Sequence, residues 1–328
     1  MEINGKLIHI KHICNEVNAD NYDVYQEAVV RLSRAIQIPT VSAQNYHETD
    51  FDAFDDFLIF LEEAFPLFHK TCELERVNKY GLVYRWRGKD AEQEPVLVTA
   101  HYDVVPAGDP KAWKYPPFSG EIAEGRVWGR GTLDIKSQLT SHLEAAEALI
   151  RQDFRPERDI YFVYGQNEET GNDEGATAIA ALFEKRGLRF AGVLDEGGII
   201  ASGAIRGVKS PVALIGVAEK GRTDFELTVK GSGGHSSMPP NTTALGQAAE
   251  LITRIERHPL PTRLTPPVAA MLKNLGSEMG GLTRFAIRNS WLFGGSYKRN
   301  QPYAGLGTYH SFGTDVDQRF LPAHRKGL

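Results

Sequence analysis

The chain is 328 residues long, 41% of them hydrophobic, with a formal net charge of -5. That length supplies one large domain or two ordinary ones with a full-sized core, and mild acidity spread along the chain leaves no basic stripe for nucleic acid. No block of like charge marks an interaction tail, so small molecules are the expected partners.

Two cysteines, Cys14 and Cys72, are too few for a disulfide framework and match no zinc knuckle. The start, MEINGKLIHIKHICNEVNAD, has no apolar run of signal-peptide length, and nothing in the chain approaches the roughly eighteen apolar residues of a membrane span. The expectation is a cytoplasmic protein without a membrane partner.

From Asn21 to Ile38, Val24, Ala28, Leu32 and Ile36 recur at helical spacing, and Pro39 stops that helix. A second helix is expected from Phe51 to about Phe65. Apolar runs then alternate with helical patterns: GLVYRW, PVLVTAHYD, a helix from Ser137 to Arg151, DIYFVYG, a helix from Glu174 to Lys185, and FAGVLDEGG. Such alternation predicts an α/β fold, a mostly parallel sheet flanked by helices.

Near PVALIGVAEKG the texture changes. RTDFELTVKGSGGHSSMPP alternates like a half-exposed strand, then gives way to an amphipathic helix from Thr243 to Arg257. This puts a domain boundary near Gly221, with residues 1–220 as the first domain and 221–293 as the start of an α+β domain. Residues 294–328, rich in Gly and polar side chains and without periodicity, form an atypical tail. No internal repeat is evident.

In an open α/β sheet, ligands sit beyond the carboxyl ends of the strands. Polar residues gather there: His101 and Asp103 end VLVTAHYD, Asp134 lies in GRVWGRGTLDIKS at a helix entry, Glu168 and Glu169 end YFVYGQNEE, and Asp195 and Glu196 end GVLDEGG. Singly, each has a plain explanation: a satisfied buried histidine, a helix N-cap, solvated loop charges, a turn aspartate. Together they would crowd carboxylates at one sheet edge, which a bound cation resolves.

One imidazole with several carboxylates suits zinc or a similar divalent ion, and a shared carboxylate can bridge two ions. Positions 101 and 103 share a face of an extended segment, so Asp103 can orient the His101 ring. Glu168 and Glu169, as neighbours, project to different sides.

The runs HYDVVPAG, PPFSGEI, GRVWGRGTLDIKS, GQNEETGNDEGA, VLDEGG, AEKG and GGHSSMPP, in this order and spacing, resemble the M20 zinc metallopeptidases. AIQIPTVS and NSWLF are similar to its carboxypeptidase S and N-acyl-amino-acid hydrolase branch, and the likeness runs from about Leu32 to Phe293. It implies that His101 and Asp195 bind one zinc, that Asp134 bridges to a second, and that Glu169 binds the second. It also makes Glu168 the general base, Asp103 the residue orienting His101, and His235 a group that stabilises the oxyanion from across a dimer. The second domain becomes a lid that dimerises.

The implied reaction is zinc-dependent hydrolysis of an amide bond beside a free carboxylate, in a small peptide or an N-acyl amino acid, with cobalt or manganese as alternatives to zinc. Such families take one more histidine for the second zinc from a later segment, and neither His310 nor His324 has its context. A shift of coding frame near Gly294, or a shortened chain, is the expectation for the tail, with a single zinc retained. The alternative function is a catalytically impaired remnant that binds metal or dimerises. Ser236 and Ser237 beside His235 lack the G-x-S-x-G elbow that a serine hydrolase needs.

Overall fold

The computed structural model describes residues 22–197 without a break, and beyond them residues 2–3, 6–7, 200–203, 208, 210–217, 226–231, 241–258, 265–281 and 284–285. The chain divides into two compact units, Met1–Glu196 and Gly197–Leu328. The boundary expected near Gly221, His235 and the tail 294–328 all lie outside the described residues.

The strands are β1 (Glu2–Ile3), β2 (Lys6–Leu7), β3 (Glu73–Val77), β4 (Gly81–Trp86), β5 (Val96–His101), β6 (Glu121–Ala123), β7 (Arg126–Trp128), β8 (Ile160–Gly165), β9 (Gly192–Leu194), β10 (Ile200–Ala201) and β11 (Val212–Ala213). The helices are α1 (Tyr22–Gln37), α2 (Asp52–Ala64), α3 (Pro66–Thr71), α4 (Ser137–Arg151), α5 (Ala176–Lys185), α6 (Ala244–Arg257) and α7 (Pro266–Glu278).

The first unit is built on a five-stranded sheet in the order β3-β4-β8-β5-β9. β5 runs parallel to β8 and to β9, as the alternation of strands and helices predicts. β4 runs antiparallel to β3 and to β8, so the sheet as a whole is mixed.

Side chains alternate between the two faces of each strand. On one face Leu82, Tyr84, Trp86, Ala100, Phe162 and Tyr164 pack against Ala35 of α1, Phe54, Phe57 and Leu61 of α2, Phe68 of α3 and Leu143 of α4. On the other, Val83, Tyr161 and Val163 meet Ile179 and Phe183 of α5. Helices therefore cover both faces, the layered arrangement of an α/β fold.

Local chemistry sets the helix ends. α1 stops at Gln37 because Pro39 disfavours helical geometry in the residue before it. α3 opens on Pro66, and the N–H groups of Leu67 and Phe68, which have no partner inside the helix, donate to the buried Glu147 carboxylate of α4 at 3.1 and 2.7 Å. In the second unit, the Thr243 hydroxyl caps α6 by accepting the Gly246 N–H at 3.1 Å. No helix among the described residues is long and apolar enough to cross a membrane.

Strand register decides where the loops emerge. His101 lies opposite Gly165 in the parallel β5/β8 pair, so the segments leaving both strands come out at the same edge.

Candidate metal centre

His101 ends β5 and is only 2% exposed. Its neighbour Tyr102 turns into the core, stacks on Phe57 with ring centroids 5.2 Å apart, and donates its hydroxyl to the Tyr80 carbonyl at 2.6 Å. That anchor fixes the backbone between His101 and Asp103. The His101 Nδ1 lies 3.0 Å from the Asp103 carbonyl and 3.3 Å from Asp103 Oδ1, so Asp103 orients the ring through its backbone as well as its side chain.

The other ring nitrogen, Nε2, faces acids from three segments. Asp134 Oδ1 is 3.1 Å away, Glu196 Oε2 3.2 Å and Glu168 Oε2 3.8 Å. Asp134 reaches this point through a turn, Thr132–Lys136, entered from Gly131 at φ 85°. A side chain at position 131 would be strained at that φ, and its Cβ would stand 2.7 Å from Val104 Cγ1. Asp134 and Ile135 leave helical geometry there, which buries Ile135 and turns Asp134 outward.

Glu168 and Glu169 open a short 3-10 turn after β8. Their backbone N–H groups donate to the two oxygens of Asp103, at 3.0 and 3.2 Å, and the Ser42 hydroxyl donates to Asp103 Oδ2 at 2.7 Å. Asp103 is fully buried, so this carboxylate holds the turn in place from below.

After β9, Asp195 Oδ1 accepts the Glu196 N–H at 2.8 Å and the Asp195 carbonyl accepts from Gln138 at 3.1 Å. Of the two adjacent acids, Glu196 is the one whose carboxylate approaches His101. The ligand atoms of His101, Asp134 and Glu196 all lie within 4.8 Å of one another.

Charge is unbalanced in this cluster. Burial pulls the His101 pKa down, but the carboxylates of Asp103 and Glu196 outweigh it and push it up to about 11. Glu168 and Glu169 are raised above the ordinary carboxylate value, first by burial and then by neighbouring acids, Glu196 for Glu168 and Asp134 for Glu169. Carboxylates that repel one another around a buried imidazole nitrogen form the donor set that a divalent cation neutralises, so the residues present fit such an ion.

Sequence reasoning did not find Ser42 or Lys136, and it named Glu196 at its strand end without giving it a role. Lys136 is 1% exposed, donates to the carbonyls of Ala35 at 3.0 Å and Ile38 at 2.6 Å, and lies over the Phe57 ring. Burial lowers its pKa to about 7, against the pull of Asp103. The one signal near Ser42 was the family-like run AIQIPTVS, which says nothing about contact with residue 103.

The chain matches the profile of Peptidase family M20/M25/M40 over residues 97–296. It is 37% identical to the probable carboxypeptidase S-like 2 of Dictyostelium discoideum over 274 residues, covering 81% of this chain and 52% of that protein. It is also 37% identical to the N-fatty-acyl-amino acid synthase/hydrolase PM20D1 of Mus musculus over 265 residues, covering 80% of this chain and 52% of that one. The chain thus spans about half the length of the curated relatives it matches. Among solved structures, the M20 family metallo-carboxypeptidase Sso-CP2 from Sulfolobus solfataricus matches with a TM-score of 0.42 at 24% identity, covering 52% of this chain and 37% of that one.

Proposed function

The chain belongs to peptidase family M20/M25/M40, and from that premise we propose that it is a zinc-dependent hydrolase of amide bonds beside a free carboxylate. The substrates fall in two classes, a C-terminal dipeptide bond or an N-acyl amino acid, in keeping with the carboxypeptidase S-like and N-fatty-acyl-amino acid relatives. The observation that carries the reading is His101, buried at a strand end with its Nε2 turned to acids from three separate segments.

His101, Asp134 and the acid pair Asp195 and Glu196 would hold one divalent ion, with zinc favoured by an imidazole and carboxylate donor set. Asp134 would bridge to a second ion held by Glu169. Such ions supply Lewis acidity toward the scissile carbonyl and lower the pKa of bound water.

The chain's own residues do the rest. Glu168 takes a proton from the attacking water and returns it to the leaving amine, and a carboxylate raised above its ordinary value is a stronger base for the first step. Asp103 holds Glu168 by its backbone and His101 by its ring. His235, in the run GGHSSMPP, would stabilise the developing oxyanion, from a partner copy if the protein dimerises through its second domain.

The test is an assay of N-acyl amino acids and dipeptides with added zinc, comparing the wild type with Glu168→Gln. Turnover that needs both zinc and Glu168 supports the reading. No turnover, with one zinc bound or none, would sink the hydrolase reading and favour a remnant that only binds metal or dimerises.

A further inference from the structure

The Ile38–Ser42 segment contributes no metal ligand, yet it is fastened to two of the elements that do. On one side it joins the residues after His101. Val104 N–H donates to the Thr40 carbonyl at 2.9 Å, Ser42 N–H donates to the Val104 carbonyl at 3.2 Å, and the Thr40 hydroxyl donates to the Tyr102 carbonyl. On the other side Lys136, two residues after Asp134, reaches across to the Ile38 carbonyl at 2.6 Å. The segment therefore straps the His101 loop to the Asp134 turn.

At its end the strap presents one hydroxyl to the site. Ser42 is 3% exposed, and its Oγ donates to Asp103 Oδ2 at 2.7 Å. Asp103 is fully buried, and both of its oxygens must find donors. Two of those donors, the Glu168 and Glu169 N–H groups, belong to the short turn that the carboxylate itself is holding. The terminal torsion of an aspartate is broad, so the backbone of Asp103 does not by itself set the plane of its carboxylate. The Ser42 hydroxyl is the donor that comes from a separate, strapped-down segment.

We propose that Ser42 is a positioning residue of the metal centre: by fixing the plane of the Asp103 carboxylate, its hydroxyl holds Glu168 and Glu169 where they act. This rests on the hydrolase reading for what those two acids do, but the contact and its effect on the turn stand apart from any metal.

The test is amide hydrogen exchange of the metal-free protein by NMR, in the wild type, Ser42→Ala and Ser42→Cys. The cysteine variant keeps nearly the same volume but donates poorly, so it serves if the alanine variant folds badly. Both are expected to exchange about tenfold faster at the Glu168 and Glu169 amides, the loss of roughly one hydrogen bond, with Phe162 and Tyr164 in β8 unchanged. Unchanged protection at Glu168 and Glu169 would overturn the proposal, and so would an equal acceleration at Phe162 and Tyr164, which marks general destabilisation.

A Co2+ titration of the same proteins separates this from the hydrolase reading. If Ser42 positions the centre, both variants bind Co2+ about tenfold more weakly than the wild type. A wild type that binds no Co2+ would remove the metal reading, while the exchange data would still decide the role of Ser42.

Discussion

Asp103 accepts the backbone N–H of Glu168 at 3.0 Å, so the residue proposed as general base is held from beneath by the residue that also orients His101. One buried carboxylate thereby couples the end of β5 to the turn after β8. Asp103→Asn keeps the shape but sets an NH2 where two acceptor oxygens are needed. Metal affinity is expected to fall about 10–100-fold, as for other residues that orient metal ligands. Equilibrium dialysis against zinc measures it, and wild-type affinity in the variant would contradict the coupling.

Glu168→Gln removes the proposed base and leaves the volume. Turnover of an N-acyl amino acid is expected to drop about 10²–10⁴-fold, the usual range for a lost general base. Zinc content by elemental analysis should stay at the wild-type level, because Glu168 stands farther from the imidazole, at 3.8 Å, than Asp134 or Glu196 does. A variant that loses zinc together with activity would make Glu168 a ligand instead.

Stability of the metal-free protein should depend on pH with a definite sign. Glu168 and Glu169 have folded pKa values above the ordinary 4.5, so the folded chain keeps protons that the unfolded chain has released. Stability from these groups therefore falls as pH rises from 4.5 through the raised values. His101 acts in the same direction at higher pH: its contribution is full below 6.5 and is lost as pH rises through about 11. A divalent ion relieves the acid repulsion and competes with the histidine proton, so the Tm gain from zinc should grow between about pH 5 and pH 8. A gain independent of pH would contradict the placement of these groups around one ion.

Tyr102 supports the site from within the core. Tyr102→Phe keeps the stacking on Phe57 but leaves the buried Tyr80 carbonyl without its donor. It is expected to cost about 1–3 kcal/mol, against about 3–5 kcal/mol for Phe57→Ala, which opens a cavity beneath the same ring. Chemical denaturation of both variants checks the order, and a larger loss in Tyr102→Phe would contradict it.

What the sequence revealed depended on distance along the chain. The helix from Ser137 to Arg151 was legible to its ends because its apolar spacing and its flanking residues are local, whereas the run PVLVTAHYD located β5 but carried it through Asp103, two residues past its end at His101. The acids at the strand ends could be read as one edge because a parallel sheet puts all such ends together. Lys136 looks like an ordinary charged residue after Asp134 until the Ala35 and Ile38 carbonyls are brought to it. Ser42 and Asp103 are 61 residues apart, and Glu147 caps a helix 79 residues away at Phe68. No periodicity encodes such pairs. The approach of Glu196 to His101, with Asp195 accepting the Glu196 N–H, turns on side-chain directions at the end of β9, which a strand pattern leaves open.

The most direct measurement is calorimetric titration of the metal-free protein with zinc, wild type beside His101→Ala. A buried imidazole at the centre of the donor set should give the wild type a saturable site that the variant binds at least about a hundredfold more weakly. Equal binding by the two proteins, or no binding by the wild type, would contradict the assignment of His101 as the heart of a metal centre.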